Sequence, residues 1–224
     1  MDIKLYYEDK GKGIPIVMLH GNNGSSIYFK HQIDYFSKKY RVITVDTRGH
    51  GKSKRGTLPF TMDQFVLDLD NLLNELNIKE FILLGFSDGA NIAMKYALKY
   101  QEKIKALILC GGNIYRKGLK LSFRLPVELG YIFTKLLNMK RKNEFLYLMM
   151  YEPNIRNEEL NQIKVPTLVI AGTKDIVKEF HTKEIANNIT NSKLLIIDGN
   201  HYILSNKHEI LNKEIDKFLS NTKV

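Results

Sequence analysis

Five short runs of almost unbroken apolar residues constrain this chain more than any other feature. They are YRVITV (40–45), FILL (81–84), ALILC (106–110), TLVIA (167–171) and KLLII (193–197). A strand with one wet face alternates apolar and polar residues. A strand covered on both faces does not, and such runs are the mark of a parallel sheet between two layers of helix. The intervals supply the helices. Across 62–76 the residues Phe65, Leu69, Leu72, Leu73 and Leu76 recur at three and four, and 88–100, 178–189 and 207–219 read in the same way. Strand–helix alternation of this kind predicts an α/β fold: a mostly parallel, doubly wound sheet of about seven strands with helices on both faces. The runs 3–7 and 14–19 flank the turn DKGKG and predict a hairpin or two adjacent strands.

One interval breaks the rhythm. After Cys110 the next strand is expected only near Val165, and the residues between are rich in Leu, Phe, Tyr and Met with a helical pattern. The stretch is too long for a loop. It divides the chain into a core, 1–112 and 165–224, and a helical insertion, 113–164. Ligands of such sheets sit at the carboxyl ends of the strands. An insertion leaving one of those ends is therefore placed to act as a lid.

The 224 residues suffice for one core. No apolar run approaches the roughly 18 residues of a membrane span, and MDIKLYYEDKGKG lacks an apolar signal-peptide region. With one cysteine, Cys110, no internal disulfide and no cysteine-based metal cluster is possible. A cytoplasmic protein without a metal or organic cofactor is the expectation. The net charge of +10 is carried mostly by lysines spread along the chain, without a nucleic-acid motif, so nucleic acid is not an expected partner. The local excess at 116–142 sets eight basic residues against the single acid Glu128. Contact with a membrane surface through it is open but less favoured than a solvated face.

The chemistry concentrates at LLGFSDGAN. Gly85-Phe-Ser87-Asp-Gly89 matches G-x-S-x-G after a strand and at the start of a helix, where a sharp turn lifts the serine hydroxyl clear of the sheet. The alternative is a glycine turn capping a helix. A serine hydroxyl needs a base. Of six histidines, His201 lies in a loop directly after a late strand. His31, His181 and His208 fall within helical patterns and are expected at the surface. The base needs an orienting acid: Asp175 follows TLVIA at a strand's carboxyl end, with Asp198 as its rival.

Four segments in order, LHGNNGSS, DTRGHGKS, GFSDGA and the pair PTLVIAGTKD/GNHY, make the chain resemble the α/β-hydrolase-fold serine hydrolases, the carboxylesterases and lipases among them, along nearly its whole length. The resemblance implies Ser87 as nucleophile, His201 as base and Asp175 as orienting acid. It also implies an oxyanion hole from the backbone N–H groups of Asn22 and Asp88, with His20 bracing the loop. A family variant places the acid after the strand ending at Cys110; Gly111-Gly112-Asn113 offers none there. The implied activity is hydrolysis of a small carboxylic ester. Thioester cleavage, C–C bond hydrolysis, acyl transfer and a non-catalytic binding role on the same scaffold stay open. The oligomeric state is not legible. Phe123, Leu125, Tyr131, Phe133, Leu136, Leu137, Phe145, Tyr147, Met149 and Met150 either line an apolar acyl pocket or fasten the insertion to the core. The Asp88 side chain is expected to turn from the oxyanion, its carboxylate favoured by the start of a helix.

Overall fold

The computed structural model describes residues 2–222. Seven strands form one sheet: β1 (Tyr7–Lys10), β2 (Pro15–Leu19), β3 (Arg41–Val45), β4 (Phe81–Phe86), β5 (Ile104–Cys110), β6 (Thr167–Lys174) and β7 (Ser192–Asn200). Their order is β1-β3-β2-β4-β5-β6-β7, with β1 antiparallel to β3 and every other pair parallel. The five apolar runs are all strands, but KLLII is not enclosed on both faces as expected: β7 is an edge of the sheet, none of its residues is fully buried, and Leu194 is 39% exposed. Side chains alternate between two cores across the sheet: Val17, Leu19, Phe81 and Leu83 face one, and Ile16, Met18, Ile82 and Leu84 the other.

The hairpin expectation fails. The chain's first two strands are not neighbours; β3 lies between them. The sequence of β2, PIVML, is buried and takes parallel partners on both sides, whereas YEDK of β1 is largely exposed and takes the edge. Asp9 of β1 then accepts the Arg41 Nε–H, shared between its two carboxylate oxygens, and a hydrogen bond from Nη2 across the β1–β3 pair. The strand also starts later than expected, leaving Ile3 and Leu5 as buried residues of an irregular lead-in.

The helices are α1 (Lys30–Phe36), α2 (Met62–Glu75), α3 (Asp88–Tyr100), α4 (Leu121–Leu136), α5 (Lys140–Tyr151), α6 (Asn157–Leu160), α7 (Glu179–Asn188), α8 (Ile203–Asn206) and α9 (His208–Asn221). Phe65 and Leu69 of α2, Ala93 and Ala97 of α3 and Ile185 of α7 pack in the first core. Phe36 of α1, Leu204 of α8 and Leu211 and Ile215 of α9 pack in the second. Thr61 begins α2 by accepting the Gln64 N–H on its hydroxyl. The stretch between β5 and β6 carries α4, α5 and α6. Among the described residues no helix is long and apolar enough to cross a membrane.

Candidate active site

The turn from β4 into α3 is possible only with glycine at two places. A methyl on Gly85 would lie 2.2 Å from the Gly89 carbonyl oxygen, and one on Gly89 would lie 2.0 Å from that of Leu19. Between them Ser87 is held at φ 53°, ψ −121°, a conformation a non-glycine residue adopts only when its surroundings enforce it. Its N–H donates to the Cys110 carbonyl at 2.8 Å, which ties the turn to β5.

His201 follows the end of β7 and Asp175 the end of β6. The Ser87 hydroxyl lies 3.0 Å from His201 Nε2, and His201 Nδ1 lies 2.7 Å from Asp175 Oδ1. An ionised carboxylate only accepts, so Nδ1 carries the proton and Nε2 is left to accept from the serine. Burial pushes the Asp175 carboxyl up, but hydrogen bonds from His201 and from the backbone N–H groups of Val177 and Gly172 outweigh it and hold it below its ordinary value. Asp198 is directed elsewhere and accepts from the Thr173 hydroxyl. Gly111, where a family variant would begin its acid-bearing segment, has φ +63°, and a methyl there would lie 2.8 Å from His201 Cε1. The imidazole occupies the space that a side chain at 111 would need.

The loop after β2 lies against the serine: a methyl on Gly21 would be 3.0 Å from Ser87 Cβ. His20 accepts the Thr47 N–H on Nε2, so its Nδ1–H donates to the Gly21 carbonyl, 2.7 Å away. Burial lowers its pKa, as a histidine held neutral to brace a loop requires. Asp46 accepts from the N–H groups of Ser26 and Lys52, and buried Arg48 forms a two-pronged pair with Asp68 and a further pair with Asp2. The segment 46–53 is thus a brace around the loop that follows β2. Asn22 donates from Nδ2 to the Phe145 carbonyl of α5, joining that loop to the insertion. Asp88 is the first residue of α3, where a backbone N–H has no partner within the helix.

Two expectations need correction. The Asp88 carboxylate does not gain from the helix start: burial raises its pKa to about 6, against its contacts with His201, Asn22 and Asn91. Its Oδ1 accepts from Asn91, while Oδ2 is sealed without a partner, as is Asn22 Oδ1. It borders a cavity of about 30 Å³ shared with Ser87, His201, Asn113 and Glu152. Desolvation there exceeds the attraction of the helix end. His181 is not at the surface but fully buried. Its Nε2 accepts the Ile114 N–H and its Nδ1 donates to Glu184, which clamps α7 to the segment leaving β5. His31 and His208 are half-buried and stack on each other at 3.8 Å between centroids.

A larger cavity of about 780 Å³ opens beside Ser87. Phe86, Phe123, Phe145, Leu146, Met149 and Ile176 give it apolar walls, and Arg141, Lys142 and Tyr202 also line it. Of the apolar insertion residues singled out in the sequence, Phe123, Phe145 and Met149 line this space. Leu125, Phe133, Leu136, Leu137 and Tyr147 face solvent, neither pocket nor fastening. The lining roles of Tyr202, Arg141 and Lys142 were not read from sequence; the place of Tyr202 next to His201 was the available signal.

A sequence model of the alpha/beta hydrolase fold matches residues 14–143, and one of the serine hydrolases of the FSH1 type matches 81–212. AB hydrolase superfamily protein YisY of Bacillus subtilis is 28% identical over an alignment 255 positions long, covering 96% of this chain and 95% of that protein. Cis-3-alkyl-4-alkyloxetan-2-one decarboxylase of Shewanella oneidensis is 36% identical over 110 residues, but these are 47% of this chain and only 35% of that protein. The solved structure of a thermophilic esterase from Thermogutta terrifontis superposes with a TM-score of 0.83 at 24% identity, over 99% of this chain and 95% of the other. With a family model matched over more than half its length and a relative aligned nearly end to end, the chain belongs to the alpha/beta hydrolase fold family of enzymes.

Proposed function

We propose that the protein is a serine hydrolase that cleaves a small carboxylic ester through an acyl-enzyme. The observation that carries this reading is the unbroken relay from Ser87 Oγ to His201 Nε2 and from His201 Nδ1 to Asp175, at 3.0 and 2.7 Å. In this reading His201 takes the Ser87 proton as Oγ attacks the ester carbonyl. The proton then passes to the departing alcohol. Water, activated by the same imidazole, releases the acid and restores the serine. Asp175 keeps the imidazole in the right tautomer and stabilises its protonated form. The N–H groups of Asn22 and Asp88 take the developing oxyanion, a contribution of about 3 kcal/mol to the barrier from each well-aimed donor.

Residues 113–164 serve as the lid in this scheme, and the apolar walls beside Ser87 favour an acyl group of hydrocarbon character. The relay alone serves thioesters, C–C bonds of diketones and acyl transfer equally well. A panel of esters graded in acyl length, run beside the matching thioesters, separates these. Ser87→Ala lowers turnover by about 10⁴-fold or more if the scheme holds, and labelling by a fluorophosphonate is lost with it. Full activity in Ser87→Ala refutes the mechanism.

A further inference from the structure

Helix α4 is apolar nearly all round: of its sixteen residues only Arg124, Glu128 and Lys135 are charged. A helix of that character is ordinarily enclosed. Here its inner face supplies Phe123 and Thr134 to the large cavity. Its outer face leaves Leu125, Leu129, Ile132, Phe133, Leu136 and the adjoining Leu137 between 48% and 78% exposed. Exposed apolar residues scattered singly need no explanation, but six on one face of one helix do.

The charge around this face identifies its partner. Lys135 is exposed on α4 itself and Lys140 just beyond its end, and Arg141 and Lys142, also exposed, carry the positive charge on to the mouth of the cavity. The one acid of the stretch, Glu128, is engaged by Arg116 and Arg124, so it does not offset that fringe. Glu144 of α5 is likewise held by Arg55. A second copy of the chain packed on this face about a two-fold axis would oppose one basic fringe to another, on a molecule already at +10. An anionic bilayer instead meets both properties at once, taking the apolar side chains below the headgroups and the lysines among them. We propose that α4 is a docking face for an anionic lipid surface, which sets the cavity behind it against the bilayer.

Docking requires no turnover, so its test is independent of the reaction proposed above. The full chain is sedimented with vesicles of phosphatidylcholine and with vesicles of the same lipid containing phosphatidylglycerol. The expected result is recovery in the pellet with the anionic vesicles only, reversed by high salt. Lys135→Gln and Lys140→Gln each weaken partition by roughly fivefold. Leu129→Glu with Leu136→Glu abolishes it while the melting temperature is kept, because neither leucine is part of the core. Sedimentation with neither vesicle, or equally with both, overturns the proposal. So does a stable dimer in sedimentation velocity that the double leucine variant dissociates, since the face then belongs to a second copy.

Discussion

Replacing Asp88 by asparagine removes a charge that the folded chain holds at a cost. The carboxyl moves from an ordinary 3.8 to about 6 because its surroundings strip it of water. A difference of that size penalises the ionised folded state by roughly 3 kcal/mol. Because the residue as a whole is half-buried, the expectation falls to about 2 kcal/mol. Below pH 4 both folded and unfolded chains are protonated at this residue, and the penalty is absent. Between pH 4 and 6 the unfolded chain has lost the proton while the folded chain keeps it, so stability falls as pH rises. Above pH 6 both are ionised and the full penalty stands. Asparagine preserves the acceptor for Asn91 and offers an N–H to the small cavity, where Asn22 Oδ1 lacks a partner. Urea unfolding of the two proteins at pH 4 and pH 7.5 is the assay. Asp88→Asn is expected to match the parent at the lower pH and to exceed it by about 2 kcal/mol at the higher. On the proposed scheme, turnover at pH 7.5 is retained or raised, because the backbone N–H remains and a charge that would oppose an oxyanion is gone. An equal or smaller stability at pH 7.5 refutes the desolvation argument. A collapse of turnover in a folded variant shows that the carboxylate takes part in the reaction.

Other perturbations separate positioning from stability. Gly111→Ala forces a methyl against the His201 ring at a positive φ. It is expected to cost about 1–2 kcal/mol in urea unfolding and about 100-fold in kcat through a displaced imidazole; wild-type kcat refutes the clash. Asp68→Ala leaves the buried Arg48 with its pair to Asp2 and its hydrogen bond to the Arg55 carbonyl but without its buried carboxylate. It is expected to lower unfolding free energy by about 3 kcal/mol, read from the urea midpoint. Asn22→Ala breaks the bond to the Phe145 carbonyl but keeps the backbone N–H. A fall of about fivefold in kcat, the equivalent of one hydrogen bond of about 1 kcal/mol, with unchanged labelling by fluorophosphonate, is the expected outcome of steady-state kinetics.

What the sequence disclosed depended on whether the governing interaction was local. The elbow at 85–89 was legible because its glycines, its strand and its helix are contiguous. The central strands were legible because burial on both faces writes itself into every residue of TLVIA or FILL; KLLII of β7 reads alike but stands uncovered at an edge. The partner of β1 was not, because adjacency in the chain says nothing about which strand needs two neighbours and which can stand at an edge. Helical periodicity placed His181 on α7 but could not say that Ile114, 67 positions away, would offer it an N–H. For Asp88, the end of its own helix was visible in sequence. The burial that dominates its ionisation comes from a cavity whose apolar walls, Leu119, Phe123, Met149 and Ile176, are scattered along the chain. The exposed side of α4 was hidden for a similar reason, since an apolar composition does not say which apolar residues find cover.

Ser87, Asp175 and His201 hang from the ends of β4, β6 and β7, and 114 positions separate the serine from the histidine it meets. The strand that delivers His201 is the last to leave the ribosome and an edge of the sheet. On the proposed scheme, a chain emerging during synthesis therefore presents Ser87 long before the base that would activate it, and stays chemically quiet until β7 has docked. Recovered activity after denaturation is accordingly a late clock, timed by closure of contacts that span more than a hundred residues, Ser87 with His201 and Asn22 with Phe145, while helix content returns sooner.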